Sequence, residues 1–281
     1  MFYHDGKLQY TVRVEKPNAL FARQLQQAIG GVEGEIRVAL QYLFQSWGSR
    51  GPKKYRDMRL ETGTEELAHI EMLATAVAMN LELAETEIKE EALHPIVLAK
   101  LGGQDPRHYL SAGLTALPSD ANGVPFDCSH VYASGNIAAD MYSNVAAEAT
   151  GRALATRLYN MTDDPGMKDM LSFLIARDTM HQQQWLAVLE ELGPEHLPVP
   201  NSFPQELENQ DFNYTFVSTA ANGGKTATGR WTRGESLDNR GGKFNVAKAK
   251  PLGDEPELAP ARPDAYGQIE QSAAPATSAR S

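Results

Sequence analysis

The sequence predicts an all-α protein: a four-helix bundle with one long crossover between its second and third helices, a short N-terminal extended segment and a long C-terminal arm. Two observations predict this fold. Apolar residues recur at helical spacing in four long stretches, near residues 18 to 48, 60 to 82, 133 to 161 and 165 to 192. The connection between the second and third stretches, of about 50 residues, is too long for a simple antiparallel turn.

Turn and capping residues separate these elements. Residues 8 to 14 alternate apolar and polar side chains, which predicts the short extended segment. Pro17-Asn18 begins the first helix, and Gly48 to Pro52 ends it. Asp163 to Gly166 predicts the turn between the last two helices, and Gly193-Pro194 ends the set.

The crossover, residues 83 to 132, must pass across the bundle to join its two helix pairs. It contains several glycines and prolines and has no sustained helical pattern. Two helix pairs joined by one long crossover is the connectivity of ferritin-like bundles. We therefore predict that residues 1 to 200 form a ferritin-like domain that includes the crossover.

Residues 201 to 281 lack helical periodicity and predict an extended C-terminal arm. Trp231 and Phe244 stand in an otherwise polar ribbon, so we expect the part around Trp231 to pack on the bundle or on a neighbouring subunit. Pro, Ala, Ser and Glu dominate the last residues of the chain, of which we expect about 20 to be flexible.

The composition limits the possible partners. The 281 residues, 42% of them hydrophobic, can build a large core, and a net charge of −10 disfavours nucleic-acid binding. The longest largely apolar stretch, Met72 to Met79, is far shorter than the roughly 20 residues of a membrane-spanning helix, and the N terminus has no signal-peptide pattern. We expect a cytoplasmic protein that binds neither nucleic acid nor membranes. The single cysteine, Cys128, is expected to be a small buried residue.

Six polar residues interrupt the apolar stripes of the four helices. Each lies three or four residues from apolar members of its stripe, whereas Glu65 and Glu71 are assigned to the other side of their helix. A single residue of this kind usually lies at the rim of a core. The six are Glu35 in the first helix, Glu66 and His69 in the second, Glu148 in the third, and Asp178 and His181 in the fourth.

Several carboxylates in one core would cost several kcal/mol per ion unless cations compensate them, and two divalent metal ions would do so. Glu66-x-x-His69 and Asp178-x-x-His181 each place a carboxyl group and an imidazole on one helical face. With one glutamate from each of the other two helices, this is the ligand pattern of ferritin-like dinuclear sites. Such ligands favour manganese or iron over zinc or copper, without deciding between the first two.

Five segments resemble the manganese catalases, and the resemblance extends over nearly the whole chain. They are Gly34 to Tyr42, Glu65 to Glu71, Leu117 to Gly123, Glu148 to Arg152, and Gly229 to Trp231. The resemblance implies an enzyme that converts hydrogen peroxide to water and dioxygen, and a homohexamer whose C-terminal arms embrace neighbouring subunits. It also implies two manganese ions bound by Glu35, Glu66, His69, Glu148 and His181.

Three residues, Asp178, Arg152 and Tyr42, are candidates for a part in catalysis in this resemblance. Asp178 stands where family members commonly have a glutamate that is thought to move protons. Ala147 stands where some members have arginine, and Arg152, one turn beyond Glu148, is a candidate to replace that charge. Tyr42 matches a phenol that lies beside the metals in the family, although a structural tyrosine is an equal alternative.

Some relatives bind calcium between the second helix and the arm. In this chain Asp57, Glu61, Ser218 and Asn222 are the candidate ligands. The alternative is that the two carboxylates lie on the surface next to Arg56 and Arg59.

Two other functions compete with a catalase. A di-iron ferroxidase or peroxidase would share the ligand pattern. A structural protein of the coat type would keep the fold and a vestigial metal site.

Overall fold

The structure is a computed structural model that describes residues 6–82, 107–108, 111–193, 205–220, 225–252, 254 and 256. The chain divides into two compact units. The first comprises Met1–Gln210 with Glu235–Gly242, and the second comprises Asp211–Gly234 with Lys243–Ser281.

The first unit is a helical bundle, which confirms the predicted fold class. Its helices are α1 (Ala19–Gly30), α2 (Glu35–Trp47), α3 (Lys53–Leu81), α4 (Ile137–Asn160) and α5 (Pro165–Leu192). In the described part of the chain no helix is long and apolar enough to cross a membrane.

The first predicted helix, 18 to 48, is interrupted between α1 and α2. Both helices run antiparallel to α3: the Asn18 amide donates to the Asn80 side chain near one end of α3, and Leu43 packs on Gly63 nearer the other. The interruption falls at Gly30-Gly31 and Gly34, where glycine is unfavourable in a helix by about 1 kcal/mol per residue. A Cβ at Gly30 would lie 2.5 Å from the backbone nitrogen of Ser119, so this glycine also lets the crossover approach.

The prediction placed the start of the second helix too late: α3 starts at Lys53, whereas the predicted helix starts at residue 60. Its first turns contribute Tyr55 and Arg59 to the interior, and a buried arginine hides the apolar stripe from a sequence pattern. The Arg59 guanidinium faces the equally buried Asp140 of α4, with Nη1 3.7 Å from Oδ2.

The described part of the crossover lies along α1 and α2. The Gln26 side chain of α1 donates to the carbonyls of Leu117 and Ser119, and farther on the Gln45 side chain of α2 donates to the carbonyl of Tyr132. The chain thus returns along α1 and α2 before α4 begins at Ile137, four residues later than predicted. Residues 83–106 and 109–110 of the predicted crossover lie outside the described residues.

Two buried apolar clusters fill the bundle, one on each side of a polar layer. On α5, Met167 to Leu174 belong to the first cluster and Trp185 to Leu189 to the second, so the polar residues around Asp178 and His181 fall between them. This arrangement places a layer of ionisable groups in the middle of the core.

The N-terminal segment is extended, but it forms no strand within the described residues 6–18. It lies along the beginning of α5: the Tyr10 hydroxyl donates to Asp169, and the amides of Glu15 and Lys16 donate to the N-cap residue Asp164.

Cys128 is exposed, so the expectation that it is buried is wrong; it lies in a short 3₁₀ turn, Cys128–His130, at the surface of the crossover. 

The second unit contains secondary structure that the sequence did not predict. Strands β1 (Thr215–Ser218) and β2 (Asn245–Lys248) pair in parallel, with Thr215 opposite Asn245. The guanidinium of Arg230 lies 5.2 Å from the ring centre of Phe244. The Trp231 side chain is half-exposed, and the residues that were expected to be flexible lie outside the described part of the chain.

Candidate metal centre

Four helices bring the five predicted metal ligands together in the polar layer. Two groups of ligand atoms, each within 4.8 Å of one another, are formed by Glu35, Glu66 and His69 and by Glu66, Glu148 and His181. Glu66 belongs to both groups, so its carboxylate lies between two adjacent positions for a cation.

The Glu66 carboxylate contacts both imidazoles with different oxygens. Its Oε2 lies 2.7 Å from Nδ1 of His69, and its Oε1 lies 2.8 Å from Nδ1 of His181. Glu35 Oε2 is 3.9 Å from the same His69 nitrogen, and Glu148 Oε1 is 3.6 Å from that of His181. The two imidazole rings are nearly parallel, with their centres 5.8 Å apart.

This arrangement fits a pair of divalent cations. Oε1 of Glu66 and Nδ1 of His181 are buried and have no hydrogen bond, although only 2.8 Å separates them. Buried polar atoms without partners are rare in proteins, and each needs an explanation such as an ion. Three carboxylates and two imidazoles from four helices supply the oxygen and nitrogen donors that manganese or iron binds.

The electrostatics of these residues also favour positive charge at the centre. Burial, followed by the charge of Glu66, raises the pKa of Glu35 to about 7. Burial opposes ionisation of Glu66 too, but the two protonated imidazoles hold its pKa at about 2. In spite of burial, the charge of Glu66 raises the pKa of His69 well above its ordinary value and that of His181 to about 12. Both imidazoles thus favour their positively charged form beside these carboxylates.

Asp178 lies at the same centre with an unusually basic carboxyl group. Burial, followed by the charges of Glu35, Glu148 and Glu66, raises the pKa of Asp178 to about 9. The carboxyl group approaches α4 at Gly151, where a Cβ would lie 3.6 Å from Oδ2. This pKa favours the protonated form of the carboxyl group at neutral pH.

Tyr42 is buried beside the centre, and its hydroxyl donates to Glu148 Oε1. Burial, followed by the charge of Glu148, raises the pKa of the phenol well above 10, so the phenol keeps its proton. The Trp185 ring, 4.8 Å away between ring centres, packs against it.

Arg152 donates to the hydroxyl of Thr179 at 3.3 Å, next to Asp178 in the chain. Whether its charge replaces an arginine at position 147 stays a prediction; Ala147 itself is buried in the second apolar cluster.

Glu65 was assigned to the wrong side of its helix. Its Oε2 lies 3.1 Å from Nε2 of His181, its Oε1 lies 3.7 Å from Nε2 of His69, and Arg177 contacts both oxygens at 2.7 and 3.2 Å. The signal was present in the sequence, because Glu65 and His69 are spaced i, i+4 just as Glu66 and His69 are spaced i, i+3.

The candidate calcium ligands are only partly described. Asp57 forms an ion pair with Arg56 at 2.6 Å, Glu61 is exposed, and the Ser218 hydroxyl is 2.9 Å from that of Thr226. Asn222 lies outside the described residues. Calcium binding stays a prediction.

Comparisons with known proteins identify similar sequences along nearly the whole chain. Residues 1–279 match the family model of the manganese-containing catalases. The manganese catalase of Bacillus subtilis is 44% identical over 271 residues, which cover 96% of this chain and 98% of that protein. The manganese catalase of Lactiplantibacillus plantarum is 38% identical over 227 residues, or 81% of this chain and 85% of that protein.

A solved structure has the same fold. KatB, a manganese catalase from Anabaena, superposes with a TM-score of 0.72 over 89% of this chain and 100% of that one, at 23% sequence identity.

Proposed function

The chain belongs to the manganese catalase family and is a catalase that uses manganese, and we propose that its reaction takes place at the centre formed by Glu35, Glu66, His69, Glu148 and His181. Two molecules of hydrogen peroxide are converted to two of water and one of dioxygen. Two manganese ions held by these five residues would supply one-electron changes, and the pair would thus provide for the two electrons that the reaction moves between peroxide molecules.

One observation carries this proposal: the Glu66 carboxylate is shared by two groups of ligand atoms. A carboxylate with one imidazole on each oxygen, at 2.7 and 2.8 Å, is suited to bridge two cations. Glu35 and Glu148 then complete one position each. The proposal of two manganese ions per chain follows from these two ligand groups, which share Glu66.

The other buried groups have supporting roles in the proposal. Tyr42 holds Glu148 through its hydrogen bond and so fixes the direction of that ligand. Asp178 accepts a proton on its carboxylate and returns it during the reaction, because two nearby cations would lower its pKa from about 9 towards the range of a proton carrier. The surrounding apolar clusters exclude bulk water.

Elemental analysis combined with an oxygen-electrode assay on peroxide tests the proposal. We expect two manganese ions per chain with oxygen release, and we expect His69→Ala to lose both manganese and oxygen release. His130→Ala, which removes an exposed imidazole, is the matched control and should lose neither. Full activity of His69→Ala would refute the site, and bound iron with slow consumption of oxygen would favour the di-iron alternative.

We also propose the finer features that the sequence predicted. These are a bundle domain of residues 1 to 200 with an arm of residues 201 to 281, a homohexamer with exchanged arms, and a cytoplasmic location. Mass measurement in solution tests the hexamer, and calcium analysis after dialysis tests binding by Asp57, Glu61, Ser218 and Asn222.

A further inference from the structure

Two consecutive glutamates lie on opposite sides of the imidazole pair. Glu66 contacts the Nδ1 atoms of His69 and His181, which face the centre, whereas Glu65 lies on the side of the two Nε2 atoms. Successive residues of a helix are rotated by about 100°, so positions 65 and 66 flank His69 at i−4 and i−3.

The Glu65 carboxylate has a defined set of partners on each oxygen. Oε1 accepts from Nε of Arg177 and from the Gln9 side chain, both at 2.7 Å, and lies 3.7 Å from Nε2 of His69. Oε2 accepts from Nη2 of Arg177 at 3.2 Å and lies 3.1 Å from Nε2 of His181. The two-point contact with the planar guanidinium fixes the plane of the carboxylate.

An imidazole that binds a metal through Nδ1 carries its remaining proton on Nε2. An acceptor for that proton fixes both the tautomer and the orientation of the ring, and this is the usual role of a carboxylate behind a metal-binding histidine. The Nε2 atom of His69 is buried and has no hydrogen bond, and Glu65 is its ion-pair partner at 3.7 Å.

We propose that Glu65 is a positioning residue that orients both imidazoles towards the metal centre at once, and that Arg177 and Gln9 hold Glu65 in place. Because one carboxylate lies near the Nε2 atoms of both rings, it links the orientations of the two metal ligands. Glu66 links the same two rings through their Nδ1 atoms. This inference rests on the proposed function in one respect, that His69 and His181 bind manganese.

The N-terminal segment supports the same arrangement. Besides Gln9, it contributes Tyr10, whose ring stacks on Phe173 at 4.5 Å between centres. Phe173 in turn lies edge-on to the His69 ring at 6.3 Å. Residues 9 and 10 therefore contact the imidazole pair through one intermediate residue each, which assigns the segment a part in holding the centre.

The variant Glu65→Gln tests the role of Glu65 with almost no change of shape, because it replaces one acceptor oxygen by an amino group that cannot accept a proton. We expect its manganese dissociation constant, measured by competition with a fluorescent chelator, to rise about 10- to 100-fold. Glu71→Gln is the matched control: it removes the same charge from α3, but two residues beyond His69 a helix has turned by about 200°, so Glu71 faces away. It should bind manganese as wild type does.

A crystal structure of metal-free Glu65→Gln gives a second readout that needs no metal. We expect the His181 or His69 ring to rotate from the present 22° interplanar angle. Unchanged manganese affinity together with unchanged rings would overturn the proposal, whereas failure of the wild-type protein to bind manganese would refute the proposed function alone.

The variants Arg177→Gln and Gln9→Ala keep Glu65 and test whether the hydrogen bonds from residues 177 and 9 hold its carboxylate in place. They also test the proposal if Glu65→Gln does not fold. We expect both to weaken manganese binding, Arg177→Gln more than Gln9→Ala, and Arg177→Lys to restore part of the loss. Wild-type affinity in both Arg177→Gln and Gln9→Ala would contradict the proposed role.

Discussion

At the level of single residues, the centre contains four carboxyl groups with different proton affinities. Glu66 has a pKa of about 2, Glu35 of about 7 and Asp178 of about 9. Glu66 lies directly between the two imidazoles, whereas Asp178 faces the other carboxylates. Of these three groups, Asp178 is therefore the one best suited to hold a proton beside bound metal ions.

Replacement of Asp178 separates proton transfer from metal binding. We expect Asp178→Asn to keep its manganese but to release oxygen about 10²- to 10⁴-fold more slowly, the usual contribution of a general acid–base group. Asp178→Glu, which keeps a carboxyl group, is the control and should retain most of the activity. Elemental analysis and initial rates at an oxygen electrode check both, and full activity of Asp178→Asn would exclude the proton-carrying role.

The sequence pattern predicted the metal ligands of the centre better than the residues that contact those ligands from the other side. Glu35, Glu66 and His69 interrupt apolar stripes, and this interruption is visible in a sequence. Glu65 lies at the edge of its stripe, so the sequence pattern assigns it to the polar surface although only 19% of its side chain is exposed. Its role depends on Arg177 of another helix, a contact that no local spacing contains.

At the level of helices, local signals decided how well each boundary was predicted. The bounds of α5 agree with the prediction because Asp164, Pro165 and Gly193 act through nearest neighbours. The start of α3 was missed because its first buried residues include Arg59, whose burial depends on Asp140 of α4. The break after α1 depends on the crossover, since Gly30 packs on the backbone of Ser119.

The N-cap of α5 also joins that helix to the N-terminal segment, which makes its effect depend on pH. Asp164 accepts from the Met167 amide at 3.0 Å and from those of Glu15 and Lys16 at 2.7 and 2.9 Å. Burial alone would raise the pKa of Asp164, but these hydrogen bonds hold that pKa below its ordinary value of 3.8. The stabilisation is therefore complete above pH 3.8 and is lost as the pH falls through the folded-state pKa.

We expect Asp164→Ala to lower the free energy of unfolding by about 2 kcal/mol at pH 7, and by less as the pH falls below the ordinary pKa. Urea unfolding at pH 7, 5 and 3 measures this. The neighbouring Asp163 is fully exposed with a single ion pair to Lys168 at 4.0 Å, so Asp163→Ala should change stability by less than about 0.5 kcal/mol. Equal effects of the two variants at pH 7 would contradict the assigned role of the cap.

At the level of the whole molecule, the fold buries carboxylates that destabilise it at the place where the proposed function requires them. The first and second apolar clusters hold the helices on either side of the polar layer. Burial, followed by the mutual repulsion of the carboxylates of that layer, raises the pKa values of Glu35 and Asp178. Metal binding removes this repulsion, so stability and metal content must be linked.

Chelation and one isosteric variant measure this linkage. Free manganese at one hundred times its dissociation constant adds about 2.7 kcal/mol, so we expect the wild-type melting temperature to rise by about 5 to 10 °C relative to chelated protein. Without metal, ionisation of Glu35 costs stability, and this cost grows as the pH rises from 4.5 to about 7. At pH 8 chelated Glu35→Gln should therefore melt at a higher temperature than chelated wild type.

With manganese the order should reverse, because Glu35→Gln loses a charged ligand and gains less from the metal. At pH 4.5, where Glu35 is protonated in the folded protein, the two chelated proteins should melt at nearly the same temperature. Scanning calorimetry of both proteins at the two pH values, with manganese or with chelator, gives all the comparisons. A structural protein with a vestigial site would show higher stability of Glu35→Gln at pH 8 both with manganese and with chelator, because manganese would then add nothing to the wild type.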